Sequence, residues 1–176
     1  MPNMQEEIPL IEISVADQKL RLTTSAGICD WPIATARNGV GELSGSGCTP
    51  RGWHRVVAKI GEGLPLNSVL VGRRPTGEIY TPELAQQYPQ RDWILTRILW
   101  LQGLEVGKNR FGQVDTMQRY IYIHGVPDSK PMGVPGSSGC INMHNNDLLE
   151  LFERISVGVK VWIDETSLKA PLQCIK

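Results

Sequence analysis

Two side chains, His124 and Cys140, stand sixteen positions apart and carry the most direct chemistry in this sequence. His124 ends the alternating run Arg119-Tyr120-Ile121-Tyr122-Ile123, and Cys140 lies within Ser137-Ser138-Gly139-Cys140-Ile141-Asn142-Met143. A free thiol has a pKa of about 8.5, so only a few per cent is thiolate at neutral pH. An imidazole within hydrogen-bond reach raises that fraction and makes the sulfur a nucleophile. A strand end fixes the imidazole, and the intervening loop, with three prolines and several glycines, is long enough to fold back and deliver the thiol. Gly139 permits close backbone approach, and the main-chain N–H groups of Gly139 and Cys140 are candidate donors to a developing oxyanion. The helical pattern that follows adds the positive end of a dipole if it points at the sulfur.

Each residue also has a plainer reading. A lone cysteine is more often a small buried hydrophobe, and a strand-end histidine is often structural. The pairing of His124 with a Gly-Cys turn favours catalysis over both. A zinc site built on His124 and His144 lacks paired C-x-x-C ligands, so no metal or other cofactor is indicated. His54 reads as a core or surface residue. Cys29, Cys48 and Cys174 read as unpaired thiols. Gly39-Val40-Gly41 lacks the third glycine and the helix of a dinucleotide loop, and reads as a turn. Trp53, Trp93 and Trp100 read as core. Arg55, Arg73, Arg74 and Arg91 are candidates for a carboxylate clamp, because guanidinium binds carboxylate bidentately, and the sequence does not choose among them.

The elements that must position this pair are mostly strands. Residues 8–15 and 19–24 alternate apolar and polar across a short link, the pattern of a hairpin. Residues 28–36 continue in β-type residues, with Pro32 confining them to an edge or a bulge. The Gly- and Ser-rich stretch 38–52 reads as loop. Further strands are expected at 53–60, 68–71, 93–101, 119–124 and 159–163. Helices are expected at 82–88, with proline in the first turn, and at 145–155. The second opens behind an Asn cap and carries Leu148, Leu149, Phe152 and Ile155 at helical spacing. The fold class is therefore mainly β, with one main α-helix near the C-terminus. No repeat of fixed period appears. The only echo is Ser46-Gly47-Cys48 against Ser138-Gly139-Cys140.

The chain has 176 residues, the size of a single domain, with 41% hydrophobic and 20% charged residues, enough to bury a core. Eighteen Lys+Arg balance eighteen Asp+Glu, which argues against a nucleic-acid partner. The first residues are acidic, no apolar run follows them, and no stretch reaches the roughly 18 apolar residues of a spanning helix. A cytoplasmic protein without membrane insertion is expected.

The residues His124-Gly125 and Ser137-x-Gly139-Cys140-Ile141-Asn142, with the spacing between them, resemble the signature of the L,D-transpeptidase catalytic domain family, the YkuD-like fold. Thr49-Pro50-Arg51-Gly52, Gln18-x-Leu20, Met132-Gly133-x-Pro135 and Gly158-Val159-x-Val161 match as well. The resemblance covers most of 8–163. It implies one mainly β catalytic domain, sandwich or barrel-like, spanning 1–176, with Cys140 as nucleophile, His124 as base and oxyanion donors from Gly139 and Cys140. Ser137, Ser138, Asn142 and Gly125 would contact substrate. The implied substrates are small peptidoglycan-derived stem peptides, cut between the L-centre of a diamino acid and a D-amino acid. Ser138 stands where the family usually carries His or Arg, and Asn142 where it shows Asn or Arg. In the cytoplasm the expected reaction is L,D-carboxypeptidase trimming of the terminal D-Ala from tetrapeptide fragments during recycling. The alternatives are a periplasmic L,D-transpeptidase that forms cross-links or exchanges D-amino acids, and an inactive wall-peptide-binding module.

Overall fold

The computed structural model describes residues 8–171. Cys174 and the acidic N-terminal residues fall outside them. Alternating side chains build β1 (Leu10–Ser14) and β2 (Lys19–Thr24), which pair antiparallel as a hairpin. β3 (Gly27–Pro32) pairs with β2, and Pro32 is its final residue, where a missing N–H costs no ladder bond. On the other side of β1 lies β10 (Lys160–Asp164), parallel to it. Next come β4 (Gly52–Ile60) and β7 (Ile94–Gly103) in antiparallel succession.

β7 is the branch point. One of its edges is shared by β4 and by β5 (Ser68–Val71), which carries β6 (Arg74–Ile79) beside it. The opposite edge takes β8 (Tyr122–Gly125), and β9 (Ile141–Met143) pairs parallel to β8. The register of β7 against β8 shifts between Leu95 and Ile98, where Thr96 has φ +75°. Such a bulge bends a strand and lets β7 serve two neighbours along one edge. Beyond β3, Ala34 exchanges backbone hydrogen bonds with Asn142 of β9. The curled sheet thereby closes on itself.

Its interior is filled by Ile11, Ile13, Leu20, Leu22, Val56, Leu99, Leu101, Ile123, Ile141 and Val161, all buried. One side is plugged by α2 (Asn145–Arg154) through Leu148, Leu151 and Phe152. Leu149, expected on this face, is half-buried, and Leu151 takes the core position. Asn145 is the first helical residue rather than the cap, which is His144. Its amide is used internally: Nδ2 donates to the Val126 carbonyl and Asp128 Oδ1, and Oδ1 accepts from Thr96 Oγ1. This buried node ties the β7 bulge to the end of β8. The short α1 (Pro82–Gln87) is capped by Thr81, whose hydroxyl accepts from the Leu84 N–H.

Two strands were not expected. β6 is exposed and polar, and β9 has only three residues. Arg119 to Ile121, expected as strand, instead form a turn before β8, with Tyr120 at φ +56°.

Candidate active site

The parallel register of β8 and β9 sets the site. Ile123 stands beside Ile141 and His124 beside Asn142. Side chains alternate along a strand, so Ile123, Ile141 and Met143 face the core while Tyr122, His124 and Asn142 face outward. Cys140, one position before β9, joins the outward set. These residues line one cavity of about 520 Å³, together with Ser137 and Ser138 of the preceding loop.

The Cys140 sulfur accepts a hydrogen bond from the Tyr122 N–H at 3.4 Å, and its S–H donates to the Tyr120 carbonyl at 3.4 Å. Burial pushes its thiol pKa up to about 12, outweighing the Tyr122 N–H, which favours the thiolate. His124 is buried, and Nδ1 lies 2.7 Å from the Gly125 carbonyl oxygen. A carbonyl only accepts, so Nδ1 carries the proton and Nε2 is left as the basic nitrogen. Burial holds the imidazole pKa below its ordinary value. Thiol and imidazole are therefore both uncharged at rest. The sequence expectation is a raised thiolate fraction, and burial works against it.

Cys140 sits on a turn whose polar groups are allocated. Gly139 has φ +134°, a region that strains any residue with a Cβ. Ser137 Oγ donates to the Cys140 carbonyl at 2.5 Å and accepts from the Gly139 N–H at 3.2 Å. Of the two amides expected as oxyanion donors, that of Gly139 is engaged. The Cys140 N–H has no partner among the described residues. Gly125, expected to contact substrate, does not line the cavity. It packs so closely on Leu95 and Asn145 that a Cβ would collide with both, and its carbonyl orients His124.

Charge around the opening is asymmetric. Arg37, Arg73, Arg119 and Lys130 line it against one carboxylate, Asp92. Of the four arginines proposed as clamps only Arg73 is present. Arg55 bonds Gln102, Arg91 pairs with Glu78, and Arg74 lies exposed on β6. The other cations reach the site from separate loops, with no local pattern to mark them.

The model of the YkuD L,D-transpeptidase catalytic domain matches residues 8–163. The chain belongs to the L,D-transpeptidase catalytic domain family. Solved structures with the same fold include the L,D-transpeptidase from Mycobacterium smegmatis (TM-score 0.54, 14% identity, 88% of this chain and 58% of that one). A cysteine-to-serine mutant of the Enterococcus faecium L,D-transpeptidase aligns with TM-score 0.54 and 15% identity, covering 90% and 50% of the two chains. L,D-transpeptidase 3 from Mycobacterium tuberculosis aligns with TM-score 0.55 and 14% identity, covering 89% and 60%. The chain thus spans between half and three-fifths of the length of these structures. No curated protein sequence matches it.

In this L,D-transpeptidase-family domain the Gly- and Ser-rich loop before β4 holds the Gly139-Cys140 turn. Thr49 is buried; its hydroxyl accepts from the Ala36 N–H at 3.0 Å and donates to the Gly139 carbonyl at 2.9 Å. Arg119 stiffens the same loop, donating to the carbonyls of Gly41, Glu42 and Cys48. The repeated Ser-Gly-Cys is thus a packing pair, with Gly47 facing the Ser138 carbonyl and Gly139 facing that of Cys48. Thr49→Val keeps the shape but strands a buried donor and a buried acceptor. It is expected to lower unfolding free energy by about 1–3 kcal/mol, read by urea denaturation; unchanged stability would show that the turn stands without this bond.

The other histidines have different work. His54 is buried between the Gly52 carbonyl and Thr116 Oγ1, its pKa lowered to about 4 by burial, so it is a neutral core residue. His144 stands at the N-cap position of α2 with no side-chain capping bond among the described residues, its Nε2 3.4 Å from the Lys130 carbonyl. Among the described residues no group of three or more His, Cys, Asp or Glu side chains is placed to hold a metal ion.

Proposed function

We propose that this domain is a cysteine-dependent L,D-carboxypeptidase that trims the terminal D-amino acid from peptidoglycan stem-peptide fragments in the cytoplasm. The observation that carries the reading is His124, locked by the Gly125 carbonyl with Nε2 unpartnered among the described residues, on the same cavity as the Cys140 thiol. Membership of the L,D-transpeptidase family supports the substrate class. The excess of cations at the cavity suits an anionic peptide with a free C-terminal carboxylate.

In the proposed reaction the Cys140 sulfur attacks the amide carbonyl carbon of the L-centre as its proton passes to His124 Nε2. The carbonyl π pair moves to oxygen, and the oxyanion accepts from the Cys140 N–H. Collapse breaks the C–N bond; the leaving D-amino acid takes the proton from His124, and a thioester remains. Water, giving its proton to His124, then attacks the thioester, releasing the tripeptide acid and restoring the thiol.

Transfer of the acyl group to an amine of a second stem peptide uses the same thioester, so the two outcomes differ only in acceptor. The zero formal net charge of the chain offers no attraction to an anionic wall polymer, which favours soluble fragments. Among the described residues no helix is long and apolar enough to cross a membrane. Incubation with a disaccharide tetrapeptide, read by mass spectrometry, tests the choice. Loss of one D-Ala without a dimer is expected; a dominant dimer or D-amino-acid exchange product would replace hydrolysis with transpeptidation.

A further inference from the structure

We infer that Arg73 is the specificity residue of this site, reading a carboxylate at the end of the third stem residue's side chain. The domain then prefers diaminopimelate-type stems with that carboxylate free. The inference rests on the proposed peptidase reading and deepens it.

Arg73 occupies the tip of the β5–β6 hairpin and has φ +64°, a backbone conformation that residues other than Gly, Asn and Asp adopt rarely. This turn carries the side chain over the cavity. There its guanidinium is held by three aromatic groups. Cζ lies 4.6 Å from the Trp100 ring centroid and 4.9 Å from that of Tyr120, and Nη1 donates to the Tyr122 hydroxyl at 3.0 Å. Trp100, expected as core, is half-buried and serves as this platform. The remaining N–H groups of Arg73 have no partner among the described residues. A guanidinium oriented on its faces with its edge open is the fork that a carboxylate takes in bidentate fashion. Arg119, by contrast, is spent on loop carbonyls.

Direction follows from the chemistry. His124 protonates the leaving nitrogen, so the D-amino acid lies toward His124, on the part of the cavity where Asp92 and Lys130 both act on the imidazole. The acyl half lies toward Tyr122, whose N–H touches the Cys140 sulfur and whose hydroxyl anchors Arg73. The long side chain of the third residue is the part of the acyl group able to reach that guanidinium. A free carboxylate there is attracted. A lysine side chain presents only an ammonium to it, and an amidated terminus presents no charge, so discrimination has both a favourable and an unfavourable arm.

The test uses the full chain and two disaccharide tetrapeptides that differ only in whether the third residue's side-chain carboxyl is free or amidated. The wild type is expected to favour the free acid in kcat/KM by about tenfold to a hundredfold. Arg73→Gln should reduce the ratio to below about threefold, with Arg73→Lys between them, because a point charge replaces the fork. A wild-type ratio near one, or an Arg73→Gln variant that loses the same factor on both peptides, would overturn the assignment. Calorimetric binding of both peptides to Cys140→Ala separates the two readings. Preference in binding without turnover by the wild type would remove the peptidase and leave Arg73; turnover without preference would do the reverse.

Discussion

Cys140→Ser is expected to lower D-amino-acid release by at least about 10³-fold. The substitution changes one atom on a turn fixed by Ser137, Gly139 and Thr49, so the fold and cavity should persist, checked by far-UV circular dichroism and thermal unfolding. What is lost is the acidity and softness of sulfur. A hydroxyl is a weak nucleophile unless an adjacent base takes its proton, and this base is weakened: burial lowers the pKa of His124. A serine variant within about tenfold of wild type would show that sulfur is not the attacking atom.

His124→Gln is expected to cost about 10²–10⁴ in kcat, the usual range for a positioned acid–base group, and to change the pH profile as well. In the wild type the active form has neutral His124. Because burial holds its pKa below the ordinary 6.5, this form persists through neutral pH, and the rate falls only as pH drops through the lowered value. On the alkaline side the Cys140 thiol, at about 12, stays protonated, so the rate should be flat from neutrality to about pH 10. Without the imidazole, sulfur must ionise unaided, and the residual rate should climb with pH across that same range. Asp92 and Lys130, the charged groups acting on His124, oppose each other and leave burial dominant. A wild-type acid limb centred above 6.5, or a flat profile in His124→Gln, would contradict the assignment.

Much of the sheet could be read because its strands either alternate, as β1 and β2 do, or form short apolar runs between turn residues, as Ser68–Val71 does. β6 could not: Arg-Pro-Thr-Gly-Glu-Ile carries no periodicity, and its extended backbone follows from pairing with β5. β9 is three residues long and exists because β8 and Ala34 flank it, a long-range arrangement. The Arg119 to Ile121 stretch alternates as a strand should, yet Tyr120 takes a positive φ and ends the pattern.

At the site, the shared placement of Cys140 and His124 on one cavity was legible because their spacing lies within one local motif. Thr49 acts on Gly139 across ninety positions, and Arg37 and Lys130 arrive from separate loops, so only the closed fold brings them together. The charge state of the pair was equally hidden. Types and spacing suggested a raised thiolate fraction, whereas burial, a property of the packed molecule, pushes the thiol pKa up and the imidazole pKa down.

The most direct measurement is the site of the covalent intermediate. The full chain is mixed rapidly with a disaccharide tetrapeptide, quenched in acid to preserve thioesters, digested and mapped by mass spectrometry. A tripeptide acyl group on the peptide containing Cys140, absent from those containing Cys29 and Cys48 and lost in Cys140→Ser, is the predicted result. An acyl group on another residue, or steady release of D-Ala by the serine variant, would contradict it.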